Sequence, residues 1–570
     1  MNAQGRKFDR IVAGGMIVDG TRQARFLGDI GIQDGKVAAV GKLDPADAGE
    51  VLDATGMIVA PGFIDLHTHY DAQVFWDPYC SISSWHGVTT VAVGNCGIGF
   101  APVRAADRDA AMQSISRIEA VPYAAMKEAL PWTWETFPEY LDAVDATPKA
   151  VNFAAYLPAT PLLIWAMGRE AAKSGRAPTE AEYAEMRRVV IEAMEAGALG
   201  WSSQYQPPEG NMCLQRDFDG TPMVTDTTPP ETFYELAKAM RDHGSGLIQF
   251  LQLLEDERMG WDVTEKIAEI SGRPVLWNTV ASGDANPEGH RAQLAWLESC
   301  RSRGLRIAGQ AFVTKTGYTF TMEDWNLFDA APLWKDITVG TREEKLAKMA
   351  DPALRDGLKG DIPMVAFDFG KIRIEQCKLE KNAHLVDKPL RQIAQETGRH
   401  MVDVFLDITV EEGLETVFTA PQPVNNDMAN LREVVDDPLL ILLDSDGGAH
   451  AKFMIGGVIT TEVMINFVRD RAWLSLEDVH WRLAALPALL AGFKDRGTLT
   501  VGAAADIVVY DFERLGYGNA EIAYDLPAGE WRRISRGTGY RYVLVNGEVT
   551  IDGDRQTGRH SGVLLRGGVG

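Results

Sequence analysis

The chain has 570 residues, 46% of them hydrophobic, which is too long for one small core and ordinary in composition for a globular protein. Its 56 basic against 80 acidic residues give a net charge of -24, which opposes binding to nucleic acid or anionic membrane surfaces and leaves a small molecule as the expected partner. The five scattered cysteines make no disulfide framework, and the sequence shows neither a signal-peptide run nor about 18 uncharged apolar residues in a row, so a cytoplasmic setting is expected.

Residues 9–18 and 29–40 are short β-rich runs broken by glycine turns, with Asp34-Gly35 marking a hairpin. The far end repeats this character at 506–511 and 542–546, which predicts one sandwich domain assembled from both termini. Between them, apolar strand-like runs alternate with amphipathic helices, the pattern of parallel βα units. Eight strands are predicted near 62–67, 89–94, 151–156, 199–203, 247–251, 275–279, 305–312 and 439–446, the number of a (β/α)8 barrel. The domain limits are then 1–60 with 495–570 for the sandwich and 61–494 for the barrel. Thr179 and Glu182 predict a capping box that opens a helix ended by Gly197. The stretch from 314 to about 436 is too long for an ordinary barrel loop and is expected to cover the site at the strands' C-terminal ends.

In PGFIDLHTHYD, His67 and His69 stand two apart at the end of an apolar run, so both imidazoles fall on one face of an extended segment and could hold one divalent ion. Two polar residues in a turn would give the same bare spacing. Pro61-Gly62, Asp65 and the β-rich N-terminus before them favour the metal pair. Cys96 sits in a glycine-rich turn just past the next strand, where its thiolate could reach the same cation or be a small buried thiol. Asp446 follows the apolar run LLILLDS, and either it or Asp444 could serve as a catalytic carboxylate or as a turn cap. His450 is open to contact with metal, substrate or loop backbone.

The PGFIDxHxH pattern, the split β-rich termini and the late aspartate strand resemble the amidohydrolase superfamily. TTVAVGNCGIGFAPVR is similar to the N-acyl-D-amino-acid deacylase branch, and GALGWSS, DSDGGAH, the segment 474–511 and the tail ending VLVNGEV extend the resemblance over nearly the whole chain. The resemblance implies that Cys96 is a metal ligand beside His67 and His69, that Asp446 rather than Asp444 is the catalytic aspartate and a ligand, and that zinc is bound as one or two ions. It implies hydrolysis of an amide-type C–N bond in an N-acyl amino acid or a bulkier N-acyl compound. Water acidified by the metal would give its proton to Asp446, which returns it to the leaving nitrogen. Hydrolysis of a cyclic amide or lactone is the alternative reaction, and a scaffold that lost its metal is the alternative of another class. A homo-oligomer is the expected assembly.

Two departures bear on substrate. GLIQFLQ (246–252) and PVLWNTV (274–280) carry no histidine where relatives supply metal ligands, leaving Gln249 and Asn278 or Thr279 as weaker oxygen donors, with His243 and His290 expected at the surface. Ala159 and Leu163 stand where relatives carry histidine and arginine, so no clamp for a free carboxylate is evident. Candidate substrate contacts are Ser203, Lys315 and His450. Aromatic residues of the insertion (Phe312, Tyr318, Phe320, Trp325, Trp334) either line a pocket for a bulky apolar amide or pack the insertion's own core.

Overall fold

Seven short apolar runs fold as parallel strands that follow one another in space as they do in sequence. They are β1 (Phe63–Asp65), β2 (Val88–Val93), β3 (Asn152–Pro158), β4 (Gly200–Gln204), β5 (Leu247–Leu251), β6 (Val275–Val280) and β7 (Ile307–Ala311). The computed structural model describes residues 6–207, 215–252, 260–284, 286–314, 317–362 and 368–567. Every residue of β1 to β5 is buried, as expected of parallel strands covered by helices on their faces. The predicted helix before β4 spans Glu180–Ala196, with the Thr179–Glu182 capping box formed and Gly197 in the left-handed region at its end.

The sequence predicts an eighth strand over 439–446, and the structure differs there. Leu440 to Leu443 are fully buried, but the segment makes single parallel bridges, Ile441 to Gln310 on β7 and Gly447 to Thr68 just past β1, instead of a ladder. Side chains take up part of the pairing: Gln310 Nε2 donates to the Leu443 carbonyl, and Ser445 Oγ donates to Asp65 while accepting from Gly447 N at 2.9 Å.

Both ends of the chain join one nine-stranded sheet, in which Ile507–Tyr510 pairs antiparallel with Ile58–Pro61. The predicted hairpin links Phe26–Gln33 to Lys36–Gly41, with Asp34 at φ 50° and Gly35 at φ 75°, the pair of positive angles that a tight hairpin turn requires. The insertion builds a second core around Phe320, Trp325, Phe328, Trp334, Phe405 and Phe418, beside a three-stranded antiparallel sheet. Phe453 and Met454, from the loop after Asp446, pack into that core, which sets the insertion over the C-terminal ends of the parallel strands. No helix among the described residues is long and apolar enough to cross a membrane.

Candidate metal centre and active-site cleft

The loop after β1 brings His67 and His69 to the floor of a cleft of about 1480 Å³, its open mouth included. His67 N donates to Asp65 Oδ1 at 3.1 Å, and His69 N donates to the Gly447 carbonyl at 2.7 Å, so the backbone of both histidines is fixed by buried partners. Cys96 follows β2 in a turn held by Asn95 Nδ2, which donates to the carbonyls of Thr68 and Ala92. Cys96 itself has φ 56°, and Gly94 and Gly97 on either side have φ 79° and 74°. A Cβ at Gly94 would come within 2.5 Å of the Tyr156 carbonyl, so the glycine is needed for this close approach to β3. Asp446 and His450 also lie in the left-handed region, at φ 50° and 52°. Cys96, Asp446 and His450 thus each sit at a tight backbone turn beside the cleft.

These elements converge. His67 Nε2 lies 3.3 Å from Cys96 Sγ and 3.1 Å from Asp446 Oδ1, and His69 Nε2 lies 3.5 Å from the same Asp446 oxygen. His67, His69 and Cys96 form one buried group able to hold a metal ion, and His67, Asp444 and Asp446 form another. Burial works against charge on both imidazoles. Asp444, Cys96 and Asp446 outweigh it at His67, and Glu119, Asp446 and Cys96 outweigh it at His69, so both are held protonated well above the ordinary histidine range. Burial likewise opposes ionisation of Asp446, but His67 and His69 hold it ionised well below the usual carboxylate range. Asp444 is shifted the other way: burial raises it, His67 offsets part of that rise, and Asp446 adds to it. A site that gathers protons on its imidazoles around fixed carboxylates is one that a divalent cation can occupy in their stead.

Of the expected weak donors, Thr279 lines the cleft with its Oγ1 donating to the Gln310 carbonyl at 3.3 Å, and Gln249 and Asn278 are engaged elsewhere. Gln249 Oε1 accepts from Cys96 N at 2.9 Å, while its Nε2 donates to Asn278 Oδ1 at 2.9 Å. Asn278 Nδ2 lies within reach of Gln310 Oε1 at 2.8 Å, Asp444 Oδ2 at 3.2 Å and His67 Nδ1 at 2.9 Å. An amide nitrogen has two hydrogens, and the two oxygens take them. His67 Nδ1–H is then left to donate to Asp444 Oδ1 at 3.2 Å, and when a cation takes the place of the proton on Nε2, the lone pair freed there faces Cys96 and Asp446.

Of the remaining candidates, His450 lines the cleft, with Nε2 3.9 Å from Asp446 Oδ2 and 3.6 Å from Glu119 Oε2. Ser203 is fully buried and its hydroxyl donates to the Gln204 carbonyl at 2.7 Å, so it serves the backbone and is not among the described residues lining the cleft. Lys315 lies outside the described residues. Phe312 and Tyr318 line the cleft, whereas Phe320, Trp325 and Trp334 are buried in the insertion's core, so each reading of the aromatic residues holds for part of the set. His290, expected at the surface, is fully buried, with Nε2 3.1 Å from Glu433 on the helix Met428–Asp436; helix packing, invisible to local sequence, covers it.

Sequence reasoning did not find Glu119 or the amide chain through Gln310. Glu119 is the last residue of the helix Arg108–Glu119, and an acidic residue at a helix C-terminus, where the dipole disfavours it, was the one available signal.

A model described as the amidohydrolase family matches residues 50–551. D-aminoacylase from Alcaligenes xylosoxydans xylosoxydans is 28% identical, over 98% of this chain and 97% of its own. A solved D-aminoacylase, described as having a binuclear metal centre with one-metal activation and second-metal attenuation, is similar with a TM-score of 0.68 at 24% identity, covering 98% of this chain and 99% of that one. N-acyl-D-glutamate deacylase from Bordetella bronchiseptica, solved with zinc and a phosphonate inhibitor, gives a TM-score of 0.67 at 24% identity, covering 98% of this chain and all of the other. With most of its length matched by the family model and its motifs gathered at one cleft, this chain belongs to the amidohydrolase family.

Proposed function

We propose that the protein is a metal-dependent hydrolase that cleaves the amide-type C–N bond of an N-acyl amino acid or a bulkier N-acyl compound, with zinc held by His67, His69, Cys96 and Asp446. The observation that carries this reading is the convergence of those side chains at spacings of 3.1 Å, 3.3 Å and 3.5 Å. Two imidazoles, a thiolate and a carboxylate this close together form a donor set that zinc would accept, and the cleft beside them leaves room for a water as a further ligand. The likeness to a D-aminoacylase and to a deacylase solved with zinc supports the same assignment.

The framework we infer is a (β/α)8 barrel over 61–494 with an insertion at about 314–436, beside a β-sandwich domain from 1–60 and 495–570. The bridges from Ile441 to Gln310 and from Gly447 to Thr68 support barrel closure. The apolar core shared by Val12, Ile30, Ile507 and Leu544 supports the second domain.

Zinc held by these residues supplies Lewis acidity, which acidifies a water and polarises a carbonyl. Asp444 accepts from His67 Nδ1–H and so keeps the imidazole in the tautomer whose Nε2 offers a lone pair to the cation. Asp446 turns Oδ1 toward His67 and His69, which leaves Oδ2, on the His450 side, to accept the proton of the attacking water. The same oxygen then returns that proton to the leaving nitrogen. Phe312 and Tyr318 line the cleft with aromatic surface, and a less polar wall strengthens each of these interactions.

The test is zinc content measured together with hydrolysis. His67→Ala with His69→Ala should leave a folded protein with neither stoichiometric zinc nor activity. Retention of stoichiometric zinc in the double variant would overturn the ligand assignment.

A further inference from the structure

The cleft contains a carboxylate that the proposed hydrolysis does not use. Glu119 is 3% exposed, and its Oε2 is buried with no hydrogen-bond partner. Its recorded ion-pair contact, His450 Nε2 at 3.6 Å, is beyond hydrogen-bond length. The residue is fixed in place: Asn326 Nδ2 donates to the Ile118 carbonyl at 3.0 Å, and His450 N donates to the Glu119 carbonyl at 2.5 Å. It also sits at the helix end where the dipole opposes a negative charge, so helix stability does not account for it. A buried carboxylate oxygen left without a donor is costly unless something else supplies one.

Other groups in the cleft share its character. Gln206, 1% exposed, and Gln293, 6% exposed, each line the cleft with a buried Oε1 that has no partner. Among the described residues lining it, three are acidic (Glu119, Asp444, Asp446) and none is lysine or arginine. Phe312, Tyr318 and Phe453 add aromatic faces, which attract cations. Asp444 and Asp446 are turned to the metal-binding histidines, so the wall away from them offers acceptors and the negative charge of Glu119, and its complement is a positively charged donor.

We propose that Glu119 binds a cationic group of the substrate, an ammonium or guanidinium, so that the amide cleaved is an N-acyl derivative of a basic amino acid or of a diamine. The proposal rests on the amide-hydrolase reading above for its substrate and on Glu119 for its charge. Glu119 would touch the substrate away from the scissile bond, as a specificity residue.

The experiment uses the full-length zinc-loaded protein and one acyl group carried on lysine, arginine, norleucine and glutamate, in both enantiomers. Norleucine matches the lysine chain without its ammonium. The lysine or arginine compound should exceed norleucine in kcat/KM by about tenfold or more, the size expected of a charge-assisted hydrogen bond in a buried site. Glu119→Gln should collapse that ratio, and Glu119→Asp should keep part of it. The lysine and arginine arms separate ammonium from guanidinium.

Calorimetric titration with free lysine and norleucine reads recognition without turnover. Glu119-dependent lysine binding without hydrolysis would sink the hydrolase reading and leave the cation site standing. Hydrolysis in which norleucine matches lysine, or in which Glu119→Gln leaves the ratio intact, would overturn the cation site alone. A preference for the glutamate compound would overturn it as well.

Discussion

Gln249 Oε1 accepts a 2.9 Å hydrogen bond from the backbone N–H of Cys96, and through its own Nε2 Gln249 donates to Asn278 Oδ1, also at 2.9 Å. These two amides stand where the resemblance to the deacylase branch implies metal-binding histidines, and each amide oxygen already accepts a hydrogen bond. Amide oxygens are also poorer zinc ligands than imidazole. The purified protein is therefore expected to hold one zinc per chain by elemental mass spectrometry. Gln249→His combined with Asn278→His is expected to raise that number toward two. A wild-type protein that takes up two tightly bound ions would show that the amide chain does not block the second position.

The two aspartates of the 444–446 turn should fail in different ways. Asp446→Asn keeps the volume and removes the base, so turnover is expected to fall by about a hundredfold or more with zinc saturating. Asp444→Asn instead loosens the hold on His67 Nδ1, 3.2 Å away, and is expected to weaken zinc binding by about ten- to a hundredfold, with activity restored by added zinc. Kinetics across a zinc titration decide the matter. An Asp444 variant that stays inactive at saturating zinc, beside a nearly normal Asp446 variant, would reverse the assignment.

The residues legible in the sequence are those whose neighbours in the chain constrain them. His67 and His69 declare themselves by alternation at a strand end, Cys96 by the glycines that let its turn approach β3, and Asp446 by the apolar run before it. The helix before β4 was readable from its caps for the same local reason. What was not legible depends on partners far away in the chain. The irregular pass at 439–446 exists because Gln310 and Asp65 side chains replace strand pairing, and no local pattern reports that. Burial of His290 needs a helix more than a hundred residues later, as the contact to Glu433 shows. Ser203, expected as a substrate contact, turns its hydroxyl to the Gln204 carbonyl.

The cleft wall also bears on the acyl group. Leu251, Phe312, Leu327, Val424 and Met454 line it, an apolar surface that a small acetyl group would leave wet. Amides of large aromatic or long acyl groups are expected to exceed their N-acetyl counterparts in kcat/KM when the amine half is held constant. Phe312→Ala should shrink that ratio by about tenfold, the worth of burying one aromatic side chain at the low end of its range. A clear preference for N-acetyl compounds in the wild-type protein would place the acyl group elsewhere.

The last prediction concerns stability and uses two histidines remote from the metal residues. His480 is fully buried against Phe63 of β1, with Nε2 2.8 Å from the Tyr510 hydroxyl, and burial pushes its pKa down to about 3. His86 is likewise fully buried, 2.7 Å from Thr461 Oγ1, and burial lowers it to about 4, against a small opposing contribution from the Ser535 carbonyl. Both are neutral in the folded protein and take up protons near pH 6.5 once unfolded. As pH falls from 6.5 toward 4, the unfolded state binds more protons than the folded one, so these histidines remove stability as the solution is acidified, roughly 3–5 kcal/mol each at the limit. Buried Asp226 and Glu462, both raised to about 7 by burial, act in the opposite sense over the same window, because their folded forms keep protons that the unfolded chain gives up. The net slope of the wild-type protein therefore mixes signs, and the informative quantity is a difference. Urea unfolding of wild type and His480→Gln at pH 6.5 and pH 4.5 should show the variant losing less stability on acidification, by about 2–3 kcal/mol, since a glutamine takes up no proton in either state. Equal losses in the two proteins would mean that His480 is protonated in the fold and that its burial beside Phe63 has been overestimated.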